Sequence, residues 1–397
     1  MDIIKRISKI SLFFVYLYPV TFVFFPFLHT RNILALIGII LVLWKFNIAK
    51  FVKLGNEGLL YLFFFSTNIL FSCAANGTSD YSLIGLPFTF LLTAFSFWGV
   101  YQISGKPSIE KNVEYMAIAC VIQAFIGLFF FLNPPVKEFV YSFVKINELA
   151  EESLMQSAGF RLHGLGANFF SAGVTNCAIL VLCAIFVLSN KRLFIICFII
   201  IAILGSCMSR TTMVGGAIAL PVLLYNIGTV SKTKLIVTLA LIVAAFSLIL
   251  RYAANSNEDS IYALYAFGAE LLINLEEKGS VMSSGVEALD YASHMPESFW
   301  TYIIGDGLYA DPKNPTTAYY MGVDQGYLRM LYYVGLIGLT FRLLSYLSFF
   351  KKICIMNKSK EFYFLFAVYL IAMYKGDTDI FQFIVPLYFI PLISFRK

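Results

Sequence analysis

Charged side chains are scarce in this sequence, so those that border its long apolar blocks are the ones able to do chemistry. Arg161, Arg210, Arg251, Asp324, Arg329, Lys375, Asp377 and Asp379 all sit at block edges. A charge near membrane depth costs several kcal/mol unless it is paired or used. Arginine offers a planar, permanently charged fork that matches phosphate oxygens two at a time. Four strings give these residues a local setting: RLHGLGANFFSAG at 161–173, GSCMSRTTMVGG at 205–216, GDGLYA at 305–310 and DQGYLRMLYYVGLIGL at 324–339. A group of arginines at one face of a bilayer suits a ligand with its lipid tail among the helices and its diphosphate at headgroup level. Each residue also has a plainer reading. An edge arginine can snorkel to lipid headgroups. Asp324 and Arg329 can form a structural pair on one helix, and the KGDTD turn at 375–379 can simply cap a loop. His163 and His294 can be ordinary loop residues.

The elements that must position these residues follow from composition. Of 397 residues, 59% are hydrophobic, 17% aromatic and 13% charged, and mean hydropathy is +0.80. A water-soluble domain carries roughly 25% charged residues to solvate its surface, so this chain reads as a membrane protein. Its apolar blocks reach 17 residues or more, about the length that crosses a hydrocarbon core as a helix. They predict an all-α polytopic fold, one transmembrane domain over 1–397 with about twelve spans: 10–28, 33–49, 58–75, 82–103, 113–133, 167–188, 193–208, 212–229, 234–250, 326–349, 361–376 and 379–395. Residues 1–28 open on Lys5, Arg6 and Lys9 and continue apolar with no small-residue cleavage site, which predicts a retained first span.

Charge placement orients this set. With the N-terminus inside, 18 of the 29 basic residues fall on cytoplasmic segments, ten on outer segments, and Arg342 lies within a span. That bias puts both termini in the cytoplasm. Two outer loops are then long, 134–166 and 251–325, and IYALYAFGAELLINL at 261–275 predicts short amphipathic helices in the second. Basic residues are dispersed rather than striped, which argues against a nucleic-acid partner despite the net charge of +6. Seven cysteines without a CxxC pair support neither a disulfide framework nor a zinc site.

In their order and spacing the four strings resemble the bacterial O-antigen polymerase (Wzy) and O-antigen ligase superfamily. Arg161, Gly164 and Asn168 match its R-x-x-G…N string, and Ser209 with Arg210 its S-R turn. Gly305 and Gly307 match its G-x-G turn, and Asp324, Tyr327, Leu328, Gly335 and Gly338 the string entering the following span. Ligases have a histidine where this chain has Asp324, which points to polymerase. From Arg161 to Gly173 there are eleven intervening residues, one off the spacing of some polymerases. The resemblance implies a GT-C-like glycosyltransferase of a bacterial inner membrane, acting on its periplasmic side on undecaprenyl diphosphate-linked glycans. Donor and acceptor would both be lipid-linked, no metal or other cofactor would be needed, and a chain-length regulator would be a partner. Arg161, Arg210 and Arg329, with Arg251 as a fourth, would hold the diphosphate, helped by Asn168 and Ser209. Asp324 would accept the attacking hydroxyl proton, with His294 and Asp306 as alternatives. A ligase, or a flippase of lipid-linked oligosaccharides, are the competing readings.

Overall fold

The computed structural model describes residues 2–44, 57–145, 160–166, 169–228, 262–264, 266–268, 270, 273–274, 294–314 and 318–394. Helices dominate. In chain order they are α1 (Asp2–Leu17), α2 (Thr30–Trp44), α3 (Glu57–Asn76), α4 (Leu86–Ile103), α5 (Ile109–Leu132), α6 (Pro134–Tyr141), α7 (Phe169–Ile185), α8 (Lys191–Met208), α9 (Thr211–Ile227), α10 (Phe299–Ile304), α11 (Gly326–Asn357), α12 (Tyr363–Lys375) and α13 (Phe381–Ser394). Among the described residues, α3, α4, α5, α8 and α11 are long and apolar enough to cross a membrane. This is the character of a membrane protein: large side chains such as Phe63, Phe71, Phe125 and Phe129 remain exposed on these helices, where water would penalise them and lipid would not.

Most predicted spans coincide with a helix to within a few residues. The first does not. Instead of one helix over 10–28, α1 stops at Leu17 and a short antiparallel hairpin follows, β1 (Thr21–Phe22) with β2 (Phe25–His29). Pro19 and Pro26 explain the difference, because proline lacks the amide proton a helix interior needs and pushes its predecessor toward extended backbone. The predicted span 234–250 and residues 45–49 of the second lie outside the described residues.

Two compact units make up the chain, one from Met1–Thr30 with Glu110–Ser284, the other from Arg31–Ile109 with Gly285–Lys397. In the first, α7 packs between α8 and α9. Small residues set that approach: a side chain at Gly215 would strike Cys177 on α7, and one at Gly205 would strike Asn176 and Thr212. Close backbone contact through small residues is how helices associate where lipid removes the hydrophobic incentive. In the second unit α11 is central, packing on α3, α10, α12 and α13.

Helix α11 is broken. Gly335 sits at φ 63° and ψ −171°, a region open only to glycine, so Gly326–Val334 and the stretch from Leu336 are separate helical pieces. The break frees carbonyls that would be costly to leave unpaired away from water. They are all met. The Tyr332 carbonyl accepts from the Asp306 amide (2.5 Å) and the Tyr333 carbonyl from the Gly307 amide (3.2 Å). Ser72 Oγ also donates to the Tyr333 carbonyl (3.0 Å), and Asn68 Nδ2 to that of Val334 (2.9 Å). The GDG turn is therefore a backbone plug for the broken helix. Gly305 has φ 76°, and a Cβ there would lie 2.5 Å from the Val334 nitrogen and 2.6 Å from the Tyr333 carbonyl carbon. Gly305→Ala combines that clash with a disfavoured φ, and is expected to cost on the order of 2–3 kcal/mol. A lowered thermal midpoint of the purified protein in detergent would show it.

Candidate functional site

Two polar clusters stand out, one in each unit. In the first unit the tight connection between α8 and α9 consists of Ser209, extended and buried, and Arg210, which caps α9. The turn is fixed by backbone bonds from Ser209 to Gly205 and from Thr212 to Ser209, each 2.9 Å. Thr212 Oγ1 donates back to the Gly205 carbonyl at 2.9 Å. Beside it runs the segment carrying Arg161. The Leu162 amide donates to the Cys207 carbonyl at 3.0 Å, tying this segment to the end of α8. Gln123 of α5 then clasps Leu165 through both backbone groups, with Nε2 to its carbonyl (2.7 Å) and Oε1 from its amide (3.1 Å). A Cβ on Gly164 would collide with that same glutamine. The glycine of the RLHG string thus exists to let Gln123 reach the backbone.

Arg161 and Arg210 meet over one ring. Their guanidinium carbons lie 4.2 and 4.7 Å from the Phe267 centroid, cation–π distances. Phe160 and Phe169 also flank Arg161, at 5.5 and 5.8 Å. Glu270 is ion-paired with Arg210. Arg161 has no carboxylate or hydrogen-bond acceptor among the described residues, and its Nε is buried without a partner. Burial, reinforced by the like charge of Arg210, pulls the Arg161 guanidinium down to about 10, and burial lowers Arg210 as well. Both remain cationic at neutral pH. Among the described residues the cluster therefore brings together two positive charges, one negative charge and aromatic walls, a setting that favours an added anion.

The second cluster forms around α11. Arg329 is only 4% exposed, while its partner Asp324, 2.8 Å away, is 70% exposed. Arg329 also donates to the Asp324 carbonyl (2.9 Å) and to the Tyr309 hydroxyl (3.0 Å), and lies 3.3 Å from the Tyr319 ring centroid. Tyr309 in turn donates to Asp377 at 2.9 Å. Asp377 pairs with Arg342 at 2.5 Å, and Arg342 also donates to the Thr378 carbonyl at 2.9 Å. Burial and the neighbouring Asp377 push the Tyr309 hydroxyl up, so it keeps its proton and links the two ion pairs as donor and acceptor. One continuous chain thus runs from exposed Asp324 to fully buried Arg342.

Asp80, after α3, holds the Tyr309 end of this chain by accepting from the Tyr309 and Ala310 amides at 2.7 and 2.9 Å. Burial pushes its carboxyl up, but bonds from Ser82, Ala310 and Tyr309 outweigh it and bring Asp80 below the ordinary range. Its contribution is accordingly full above the unfolded value of about 3.9 and lost as pH falls through the lower folded value. Acidification below about pH 4 is expected to open this turn in the native protein more than in Asp80→Asn, which hydrogen exchange at Tyr309 and Ala310 would measure.

The sequence candidates are distributed unevenly over these clusters. Arg161, Arg210 and Ser209 converge in the first; Asp324 and Arg329 are joined in the second. Asp306 accepts from Thr301 Oγ1 at 2.6 Å beside the α11 break, and His294 accepts through its carbonyl from Tyr332 at 3.1 Å. Arg251 and Asn168 lie outside the described residues. Sequence reasoning gave no role to Tyr309, Asp80, Phe267 or Glu270, noted Arg342 only as a charge within a span, and read Asp377 only as a block-edge charge that could cap a loop. Arg342 carried a usable signal, a lone charge deep in an apolar span; the others are ordinary residue types whose partners are remote in sequence. Compared with known protein families, curated proteins and solved structures, the chain matches none.

Proposed function

We propose that this protein is a glycan polymerase of a bacterial inner membrane. In this reading it transfers a growing chain from one undecaprenyl diphosphate carrier to the terminal sugar of a fresh lipid-linked repeat unit. The observation that supports it best is the convergence of Arg161 and Arg210, from separate strings of the sequence, on the ring of Phe267. The departing diphosphate gains charge as the glycosidic bond breaks, and fixed cations in a half-dry setting stabilise that charge more than water does. Because the diphosphate is itself the leaving group, the scheme needs no nucleotide sugar and no metal.

Asp324 is the proposed acceptor of the hydroxyl proton. One of its oxygens is taken by Arg329 and the carboxylate is otherwise exposed. Arg329 is reassigned within the proposal: with its guanidinium bonded to protein acceptors, it orients Asp324 instead of touching the diphosphate. The twelve-span arrangement, a GT-C-like architecture, both termini in the cytoplasm, a periplasmic site and a chain-length regulator as partner belong to the same proposal.

Transport is the weaker reading. Broken helices in transporters offer unwound carbonyls to an ion, whereas the carbonyls of Tyr332, Tyr333 and Val334 are already bonded to protein donors. Deleting the gene separates the enzymatic alternatives. A polymerase null strain displays single repeat units on its lipid A core; undecorated core would identify a ligase and overturn the polymerase reading.

A further inference from the structure

The arginine pair is not empty of negative charge. Residues 262–264, 266–268 and 270 are helical and seated against the end of α8. Leu264 is buried with Leu162, Cys207 and Met208. A Cβ on Gly268 would lie 2.9 Å from Cys207 Sγ, so this glycine permits the close seat. Phe267 faces both guanidiniums, and Glu270, three residues further and therefore on the same helical face, pairs with Arg210. Both members of that ion pair are mostly buried, at 14% and 17% exposure.

We propose that Glu270 is a specificity-determining residue, a built-in counter-ion that lets diphosphates onto Arg161 and Arg210 and keeps singly charged phosphodiesters off. This rests on the reading of the arginine pair as a diphosphate site. Any ligand of Arg210 must displace a tethered carboxylate present at high effective concentration. A phosphodiester, such as the headgroup of an ordinary phospholipid, brings one charge: in place of Glu270 it gains nothing net at Arg210, and beside Glu270 it reaches Arg161 alone. A diphosphate brings two or more charges and enough oxygens to engage both forks, so it satisfies Arg161, which Glu270 leaves without an ion pair, as well as Arg210. At headgroup level, where phosphodiesters outnumber the carrier, such a filter keeps the site available. Burial first, and its like-charged neighbour second, lower Arg161.

Calorimetric titration of the purified full chain in non-ionic detergent tests this with two probes, inorganic diphosphate and dimethyl phosphate. The native protein should prefer diphosphate. Glu270→Gln should narrow that preference by about tenfold, chiefly by admitting dimethyl phosphate, the scale expected of a desolvated charge pair. Glu270→Asp, which keeps the charge, should retain most of the preference, and this separates loss of charge from disturbed packing. An unchanged preference in Glu270→Gln overturns the inference and leaves the arginine site standing. Diphosphate binding that is absent, or that survives Arg161→Ala with Arg210→Ala, overturns both.

Discussion

Arg342→Ala is expected to destabilise the protein by about 3–5 kcal/mol, the usual cost of stranding one member of a buried ion pair. Arg342 is 1% and Asp377 6% exposed, so removing the guanidinium leaves a buried carboxylate that loses its ion-pair partner and keeps the hydrogen bond from the Tyr309 hydroxyl. The damage should travel: Tyr309 would lose the Asp377 position that aligns it, and Arg329 would lose part of its hold on Asp324. Most of the cost lies in the orphaned charge, so a paired replacement should recover much of it. Arg342→Met with Asp377→Asn is expected to regain at least half of the lost stability. Thermal unfolding of the three proteins in detergent measures this, and a double variant no better than the single one would mean that the ion pair is not the source.

The second large effect concerns Arg161 and Arg210. Under the proposed function, Arg161→Ala and Arg210→Ala should each slow chain elongation by about 10²–10³-fold, the range seen when one donor to a developing oxyanion is removed. The two should differ in stability. Arg161 has no acceptor among the described residues and loses only its ring contacts, so its loss should lower the melting point less than that of Arg210. Arg210 pairs with Glu270, so its loss should lower the melting point until Glu270→Gln is added. Lysine in either position should recover only part of the rate, because a point charge cannot reproduce the two-pronged fork. Full elongation by both alanine variants at normal expression would remove these arginines from the diphosphate.

What the sequence conveyed about these sites depended on how local each cause was. The turn at Arg210 was legible, because Gly205, Ser209 and the apolar blocks on either side all act within a few residues. The helix breaks were legible only in part. The apolar run over 10–28 hid the hairpin at Thr21–His29, although Pro19 and Pro26 were there to announce it. Gly335 was visible as a motif glycine, but nothing nearby indicated a positive φ; that follows from the GDG turn filling the gap. Beyond the Asp324–Arg329 pair, the chain to Arg342 was illegible for the same reason. Its links join Tyr309 to Arg329 and Asp377 to Arg342 across separate elements, and no spacing rule encodes such pairs. Glu270 was obscured by lying in a segment read only as amphipathic, where an acidic residue is unremarkable until Arg210 is seen beside it.

The most direct trial of the account is reconstituted elongation. Purified protein mixed with lipid-linked repeat units in detergent, with chelator present and no nucleotide sugar, should produce a ladder of products on a gel and release carrier diphosphate in step with each addition. A correctly folded preparation that leaves the repeat units unextended under these conditions would contradict the central claim.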